Sequence, residues 1–375
     1  MDTPIRILHV LAAMDLAGTE TLLMNFYRNI NREKVQFDFA VSAIAECAYD
    51  KEIEELGGRI FHYPRYRGKN HFAYKKWWES FFDEHPEYHI VHGHIGSTAA
   101  IYLSIARKKG RYTIAHSHST NAVASVQHII YKLFSFPTRY VADFYFGCSR
   151  RALIDRYGLR IANDKEKSKV LNNAIDAQKF IFNDEVRKQE RAKLKLPEKK
   201  LVLGTVGRLS AQKNPYEIVR ICDYLKRKGV DYRFLWYGVG ELKEDITKEL
   251  KEKNLNDIVY LCGTRLDIYN ALQAMDIFIF PSIFEGLGIS CVEAQAAGLP
   301  TLCSDTIPIE AKVTNLAKFL KLNDTNRWCT EVEMISNEIN EENYKRPNTY
   351  QAVVAAGYDV IDLAKWLENF YMMKW

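Results

Sequence analysis

The chain has 375 residues, 47% of them hydrophobic and 26% charged, with a formal net charge of +5. That length exceeds one ordinary core and suits two domains of about 180 residues each, and a weak basic balance without an interleaved arginine–aromatic cluster excludes a nucleic-acid-binding surface. No run approaches the roughly 20 apolar residues of a spanning helix, Ile5–Ala13 is interrupted by Arg6 and His9 with no basic region before it, and the 7 cysteines form no C-x-x-C pair, so the expectation is a cytoplasmic protein with buried free thiols.

Strand-like and helix-like segments alternate from the amino end. Ile5–Leu11 predicts a strand, Gly18–Asn29 a helix, Phe37–Val41 a strand, Asp50–Leu56 a helix stopped by Gly57-Gly58, and Arg59–Tyr63 a short strand. A helix over Phe72–Asp83 follows, then strands at His89–His92, Thr113–Ala115 and Phe144–Cys148. The pattern breaks at Asn172–Asp176, and a basic, polar helix is expected over Asp184–Leu194. The domain boundary is therefore placed between Lys179 and Asp184, giving domains over 1–182 and 183–349. Strands at Leu201–Val206, Tyr232–Tyr237, Ile258–Leu261, Ile277–Phe280 and Thr301–Cys303 repeat the alternation. Within 350–375, the stripe Val353, Val354, Ile361, Ala364, Leu367 and Tyr371 predicts a terminal helix over Tyr350–Tyr371. This order of elements is α/β with parallel sheets.

Two segments carry chemistry. In Pro281–Pro300 an apolar strand runs into a glycine-bearing loop with Glu285, Gly286, Leu287 and Gly288, then a helix from Ile289 to Ala297 that contains Glu293 and stops at Gly298 and Pro300. A helix opening just after glycines offers free N–H groups and a positive dipole end to phosphate oxygens. Glu293, one turn in, is placed to accept from a ribose diol, and Glu285 lies on the loop before the helix. The order carboxylate, anion cradle, carboxylate matches the hydroxyls, diphosphate and hydroxyls of a nucleotide sugar. The plain alternative is a strand–loop–helix with two solvated glutamates. The second segment, Leu201–Leu209, ends a buried strand in Gly207-Arg208, with Lys213-Asn214-Pro215 following. Arg208 and Lys213 thus stand at the carboxyl end of a strand, where open α/β sheets bind ligands, and together they suit a pyrophosphate.

These residues resemble a family. Gly207-Arg208-Leu209 with Lys213-Asn214-Pro215, and Phe284-Glu285-Gly286 through Val292-Glu293-Ala294 with Ala297-Gly298-Leu299-Pro300, are similar to the retaining glycosyltransferases of group 1 (family four). That family is typified by bacterial exopolysaccharide and capsule transferases and by sucrose synthase-like enzymes. Ala17-Gly18-Thr19-Glu20, His92-Gly93-His94 and His116-Ser117-His118-Ser119 extend the resemblance into the amino half, so that it runs from Ile5 to about Tyr371. It implies the GT-B fold, two Rossmann-like domains facing each other across a cleft, with a terminal helix crossing back to the amino domain. The usual Gly-Gly pair is Ala17-Gly18 here; Gly18 can still bring backbone N–H close to the donor.

All 10 histidines precede residue 130. His92/His94 and His116/His118 are spaced to share a strand face, and four histidines suffice arithmetically for zinc, but no acidic or thiol ligand motif accompanies them. The resemblance instead implies that His116 touches the transferred sugar. No Asp-x-Asp occurs to hold a divalent metal on the diphosphate, so the expectation is that no metal and no cofactor is required.

The implied activity is transfer of a sugar, hexosyl in type and with retention, from a nucleotide-diphosphate sugar to an acceptor hydroxyl. A UDP-sugar is the donor the family's usage implies, uridine being its commonest base, and the acceptor is a glycan or lipid-linked glycan of capsule, exopolysaccharide or other cell-surface polymer. Expected catalytic residues are Glu285, Arg208, Lys213 and His116; donor contacts come from Gly18, Gly207, Arg208, Lys213, Glu285, Gly286, Leu287, Gly288, Ile289 and Glu293. Membrane contact, if made, is peripheral, through the amino-terminal domain at the inner face of the plasma membrane. The alternatives are a GT-B sugar-nucleotide epimerase and a non-catalytic nucleotide-sugar-binding subunit of a transferase complex.

Overall fold

A computed structural model describes residues 3–118 and 134–375. Two compact units emerge, one formed by Met1–Ile175 with Gly357–Trp375, the other by Asp176–Ala356. Strands of the first unit are β1 (Ile5–Leu11), β2 (Val35–Val41), β3 (Ile60–His62), β4 (Ile90–Gly93), β5 (Tyr112–Ser117), β6 (Phe144–Gly147) and β7 (Ser168–Val170). They form one sheet in the order β3-β2-β1-β4-β5-β6-β7, and every pairing is parallel. Alternate residues of β1 serve opposite faces. Ile5, Ile7 and Leu11 join a core with the Gly18–Asn29 and Val360–Lys374 helices, while Leu8 and Val10 join a second core with the His71–Glu84 and Ala99–Lys108 helices. A sheet covered on both faces needs strands apolar at nearly every position, as β1 is.

The second unit repeats the plan. Its strands β8 (Leu201–Val206), β9 (Tyr232–Tyr237), β10 (Val259–Gly263), β11 (Ile277–Phe280), β12 (Thr301–Ser304) and β13 (Ala317–Leu320) lie in the order β10-β9-β8-β11-β12-β13. The Pro215–Arg227 and Thr325–Ile339 helices share one core with β8, β9 and β11. Just before β11, Asp276 accepts from Arg187 (2.6 Å), Arg191 (2.7 Å) and the Val202 backbone N–H (2.8 Å). That carboxylate pins the amino ends of β8 and β11 to the Asp184–Lys193 helix. Among the described residues no helix is long and apolar enough to cross a membrane.

Most expected elements are present within a residue or two, and the departures have local causes. The expected boundary between Lys179 and Asp184 falls inside the second unit, because Gln273 holds that segment by donating to the Phe180 carbonyl (3.3 Å) and accepting from the Asn183 N–H (3.2 Å). The single terminal helix expected over Tyr350–Tyr371 is two helices, Tyr350–Ala355 and Val360–Lys374. Gly357 at φ +77° breaks it, a conformation that helix continuation forbids and glycine adopts without strain. The break also divides the stripe: Tyr350–Ala355 stays with the second unit and Val360–Lys374 with the first. The short strands β7 and β13 were not expected; each carries a lysine (Lys169, Lys318) that obscures an apolar run.

Asp359 restarts the chain as the N-cap of the last helix, accepting from the Ile361 and Asp362 N–H groups. Asp359→Ala should lower unfolding free energy by about 1 kcal/mol, within the roughly 0.5–2 kcal/mol that N-caps contribute, with Asp359→Ser recovering most of it. Urea denaturation of the three proteins measures the difference.

Candidate active site

In the second unit the strand order reverses between β8 and β11, and the chain leaves these neighbours in opposite directions. The crevice at their carboxyl ends is where such sheets hold ligands. After β8 come Gly207 and the exposed Arg208, then a turn of 3₁₀ helix, Ala211–Lys213. After β11 the chain runs through Pro281 and Glu285 to the Ile289–Ala296 helix, whose N-cap Gly288 lies at φ +92°.

These two loops are bonded to each other. Lys213 Nζ donates to Glu285 Oε1 at 2.5 Å and stands 4.7 Å from the centre of the Phe280 ring. Gln212 Nε2 donates to the Phe284 carbonyl (3.0 Å) and to Glu285 Oε2 (3.3 Å), and the Gln212 carbonyl accepts from the Ile283 N–H (2.8 Å). A third loop supports them from β9: a Cβ on Gly238 would lie 2.1 Å from the Gly207 carbonyl oxygen. Only glycine allows that approach, which buttresses the Gly207-Arg208 backbone. Arg208 itself makes no side-chain hydrogen bond or ion pair among the described residues, so its guanidinium has its full donor set available.

The first-turn N–H groups of the Ile289–Ala296 helix have no acceptor within the helix, and its positive end faces the same crevice as Lys213. Glu293, on its second turn, is partly buried; removal from water pushes its carboxyl up to about 7, a rise that the Lys213 charge only partly offsets. A carboxyl in this state hydrogen-bonds hydroxyls as donor or acceptor.

In the first unit the order reverses between β1 and β4, and the carboxyl ends there carry imidazoles. His9 on β1 is the register partner of His92 on β4, and His94, His116 and His118 complete the cluster. His9 Nδ1 lies 3.0 Å from His94 Nε2, His94 Nδ1 lies 2.8 Å from His118 Nε2, and His92 Nδ1 lies 2.7 Å from the Tyr371 hydroxyl. His116 is buried with neither ring nitrogen bonded among the described residues. Burial lowers its pKa well below the ordinary histidine value, with the neighbouring imidazoles adding to the effect. Gly18 opens its helix in open space, where an added Cβ would meet nothing within 4 Å.

Comparison with known proteins shows the family. Residues 186–341 match the family model described as glycosyl transferases group 1. The putative glycosyltransferase EpsF of Bacillus subtilis (strain 168) is 30% identical over 369 residues, 98% of this chain and 96% of the relative. The chain is a group 1 glycosyltransferase. Another relative, the UDP-Gal:alpha-D-GlcNAc-diphosphoundecaprenol alpha-1,3-galactosyltransferase of Escherichia coli, is 29% identical over 228 residues, 58% of each chain. Among solved structures, HepE of Anabaena in complex with UDP has a TM-score of 0.78 at 14% identity, covering 98% of this chain and 100% of that one. Sucrose-phosphate synthase from Thermosynechococcus elongatus has a TM-score of 0.79 at 16% identity, covering 98% of each. Those two likenesses concern the fold, which is that of GT-B glycosyltransferases.

Within this glycosyltransferase the second unit gathers Gly207, Arg208, Lys213, Glu285, Gly286, Leu287, Gly288, Ile289 and Glu293 at one sheet edge, while Gly18 and His116 belong to the first unit. Ser119, Thr120 and Asn121, the polar residues beyond His116, lie outside the described residues. Sequence reading missed Gln212, whose position beside Lys213 was the available signal, and Phe280, hidden in an apolar strand. It also missed His9, which reads as an interruption of β1 until the sheet sets it beside His92.

The raised Glu293 pKa makes a prediction about pH. The folded chain holds a proton there that the unfolded chain has already lost above about pH 4.5, so stability falls as pH rises from there to about 7. Glu293→Gln has no such proton. Relative to wild type it should gain on the order of 1–3 kcal/mol between about pH 5 and about pH 8. Chemical denaturation at both pH values checks this; parallel curves would mean an ordinary carboxylate.

Proposed function

We propose that this glycosyltransferase moves a hexosyl unit from a UDP-sugar to an acceptor hydroxyl, with retention, in synthesis of a bacterial cell-surface polysaccharide. The observation that carries the reading is the Lys213–Glu285 pair at the β8–β11 reversal, beside Arg208 and the start of the Ile289–Ala296 helix. The Lys213 ammonium has three donors, so the bond to Glu285 leaves two for diphosphate oxygens. Glu285, oriented by Gln212 and Lys213, binds hydroxyls of the transferred sugar, and Glu293 binds the ribose diol. His116 contacts the transferred sugar, and Gly18 approaches the donor. A lipid-linked glycan acceptor is favoured by the relative from Escherichia coli, named for a diphosphoundecaprenol substrate. Such an acceptor would require peripheral contact with a membrane.

Retention by double displacement needs a carboxylate nucleophile beneath the anomeric carbon, and Glu285 is committed to Gln212 and Lys213. The simpler course is attack on the face the nucleotide leaves. The acceptor oxygen bonds the anomeric carbon as the bond to the diphosphate breaks, and the departing phosphate oxygen takes the acceptor's proton. Arg208, Lys213 and the N–H groups of Leu287, Gly288 and Ile289 then stabilise the charge growing on the leaving group.

The purified chain should release UDP from a UDP-sugar only when a suitable glycan acceptor is present, and the new linkage should keep the donor's anomeric configuration by NMR. Acceptor-independent epimerisation, or no turnover by the chain alone, would overturn the reading. Because two cations and a helix end neutralise the diphosphate, added magnesium or manganese should leave donor turnover unchanged; activation by either would remove that account. Arg208→Ala and Lys213→Ala should each lower kcat by on the order of 10²–10³, or roughly 2–4 kcal/mol, with a smaller change in donor KM. The double variant should lose less than the product of the two, since both serve one ligand. Steady-state kinetics on the three variants measures both effects.

A further inference from the structure

The histidines at the β1–β4 reversal have a property that sugar contact by His116 leaves unexplained. His9, His92 and His94 each offer one ring nitrogen, and these nitrogens lie within 4.8 Å of one another. His9 and His92 are buried, at 0% and 1% exposure, and the Nε2 of His92 has no hydrogen-bond partner among the described residues. Buried polar atoms without partners are costly. Ring centroids in the trio are 5.2 Å (His9–His92), 5.3 Å (His9–His94) and 4.4 Å (His92–His94) apart. Three imidazoles bound radially to one ion at about 2.0–2.1 Å place their centroids about 5 Å apart.

The outer hydrogen bonds engage Nδ1 of both rings. His92 Nδ1 lies 2.7 Å from the Tyr371 hydroxyl and His94 Nδ1 2.8 Å from His118 Nε2; in the tautomers that carry the proton on Nδ1, both Nε2 lone pairs are left for a ligand. Metal-bound histidines characteristically donate their second nitrogen in this way. His9 Nδ1, 3.0 Å from His94 Nε2, supplies the third by giving up that hydrogen bond; two ligand atoms on a tetrahedral zinc are about 3.3 Å apart, so this pair needs to spread by only a few tenths of an ångström.

We propose that His9, His92 and His94 bind a first-row divalent ion, zinc by preference, at the strand-order reversal of the first unit. Neutral imidazoles suit zinc among these metals. Three protein ligands leave a fourth position open, and with no carboxylate among the ligands the ion keeps its double positive charge, so that position takes an anionic oxygen, hydroxide or phosphate. This site is built from first-unit residues alone and departs from the expectation that the chain needs no metal.

The test uses the full chain without a polyhistidine tag, produced with zinc in the medium and freed of loose metal by gel filtration. Metal analysis should find about one zinc per chain, falling to background in folded His92→Gln and His94→Gln and unchanged in His116→Gln, with folding judged by circular dichroism. Cobalt added to the metal-stripped wild-type chain should give visible ligand-field bands of a four- or five-coordinate site, a readout that needs no variant. Background zinc together with absent cobalt bands in wild type would overturn the proposal, as would undiminished zinc in His94→Gln. Loss in His116→Gln would overturn the choice of trio. None of these measurements depends on transferase activity, so their failure is distinct from failure of the proposed reaction.

Discussion

Reversal of strand order organises both units. A parallel strand can be added only through a crossover that packs back on the sheet with one hand, so a sheet extended in both directions from an inner strand must contain two neighbours whose connections leave oppositely. Those neighbours are β1 and β4 in the first sheet and β8 and β11 in the second. There the connections part to opposite faces of the sheet, and polar side chains can gather at the carboxyl ends, at the edge of a dry core. The histidines occupy one such place and the Lys213–Glu285 pair the other.

The two places solve different electrostatic problems. In the second unit Arg208 reaches solvent, while Lys213 and Glu285 lie largely out of it and hold each other's charge. Lys213 is held by Glu285 over the Phe280 ring, while Arg208 is exposed just beyond the Gly207 backbone. Positive groups fixed before a ligand arrives need little reorganisation as charge develops on it. Glu293 shows what that surface costs: its carboxyl sits where water is scarce enough to favour the protonated form. In the first unit the side chains are neutral and bonded in series, His9 to His94 to His118, with Tyr371 of the last helix bonded to His92. The final helix thus contributes both to the core beneath the cluster and to its hydrogen bonding.

Much of this was legible in the sequence because its causes are local. A period-two or continuous apolar run followed by glycine predicts a buried strand wherever it occurs, and the sites of Arg208, Lys213, Glu285 and Glu293 follow from their places just after such runs. The N-terminal helix start at Ile289 and its stop at Gly298 are also local, set by glycines at φ +92° and φ +70°. What escaped involved partners distant in the chain. Gln212 matters because it bonds Phe284 and Glu285, 72 and 73 positions away. The terminal stripe seemed one helix because its apolar spacing continues across Gly357, and only packing against two different units separates the halves.

The amino-acid sequence by itself determined the class of fold, the alternation of elements, the family and the candidate donor residues, since each rests on patterns spanning a few neighbouring positions. Tertiary structure alone decided which strands are adjacent, and with that which side chains meet. Sheet order brings His9 beside His92, 83 positions along the chain, in the β1–β4 register and converts an interruption in an apolar strand into one corner of a buried imidazole cluster. It also turns Lys213 and Glu285 from two separate charges into a bonded pair. Pairing of that kind depends on crossover topology and on the burial of two core faces, and no short stretch of residues encodes either.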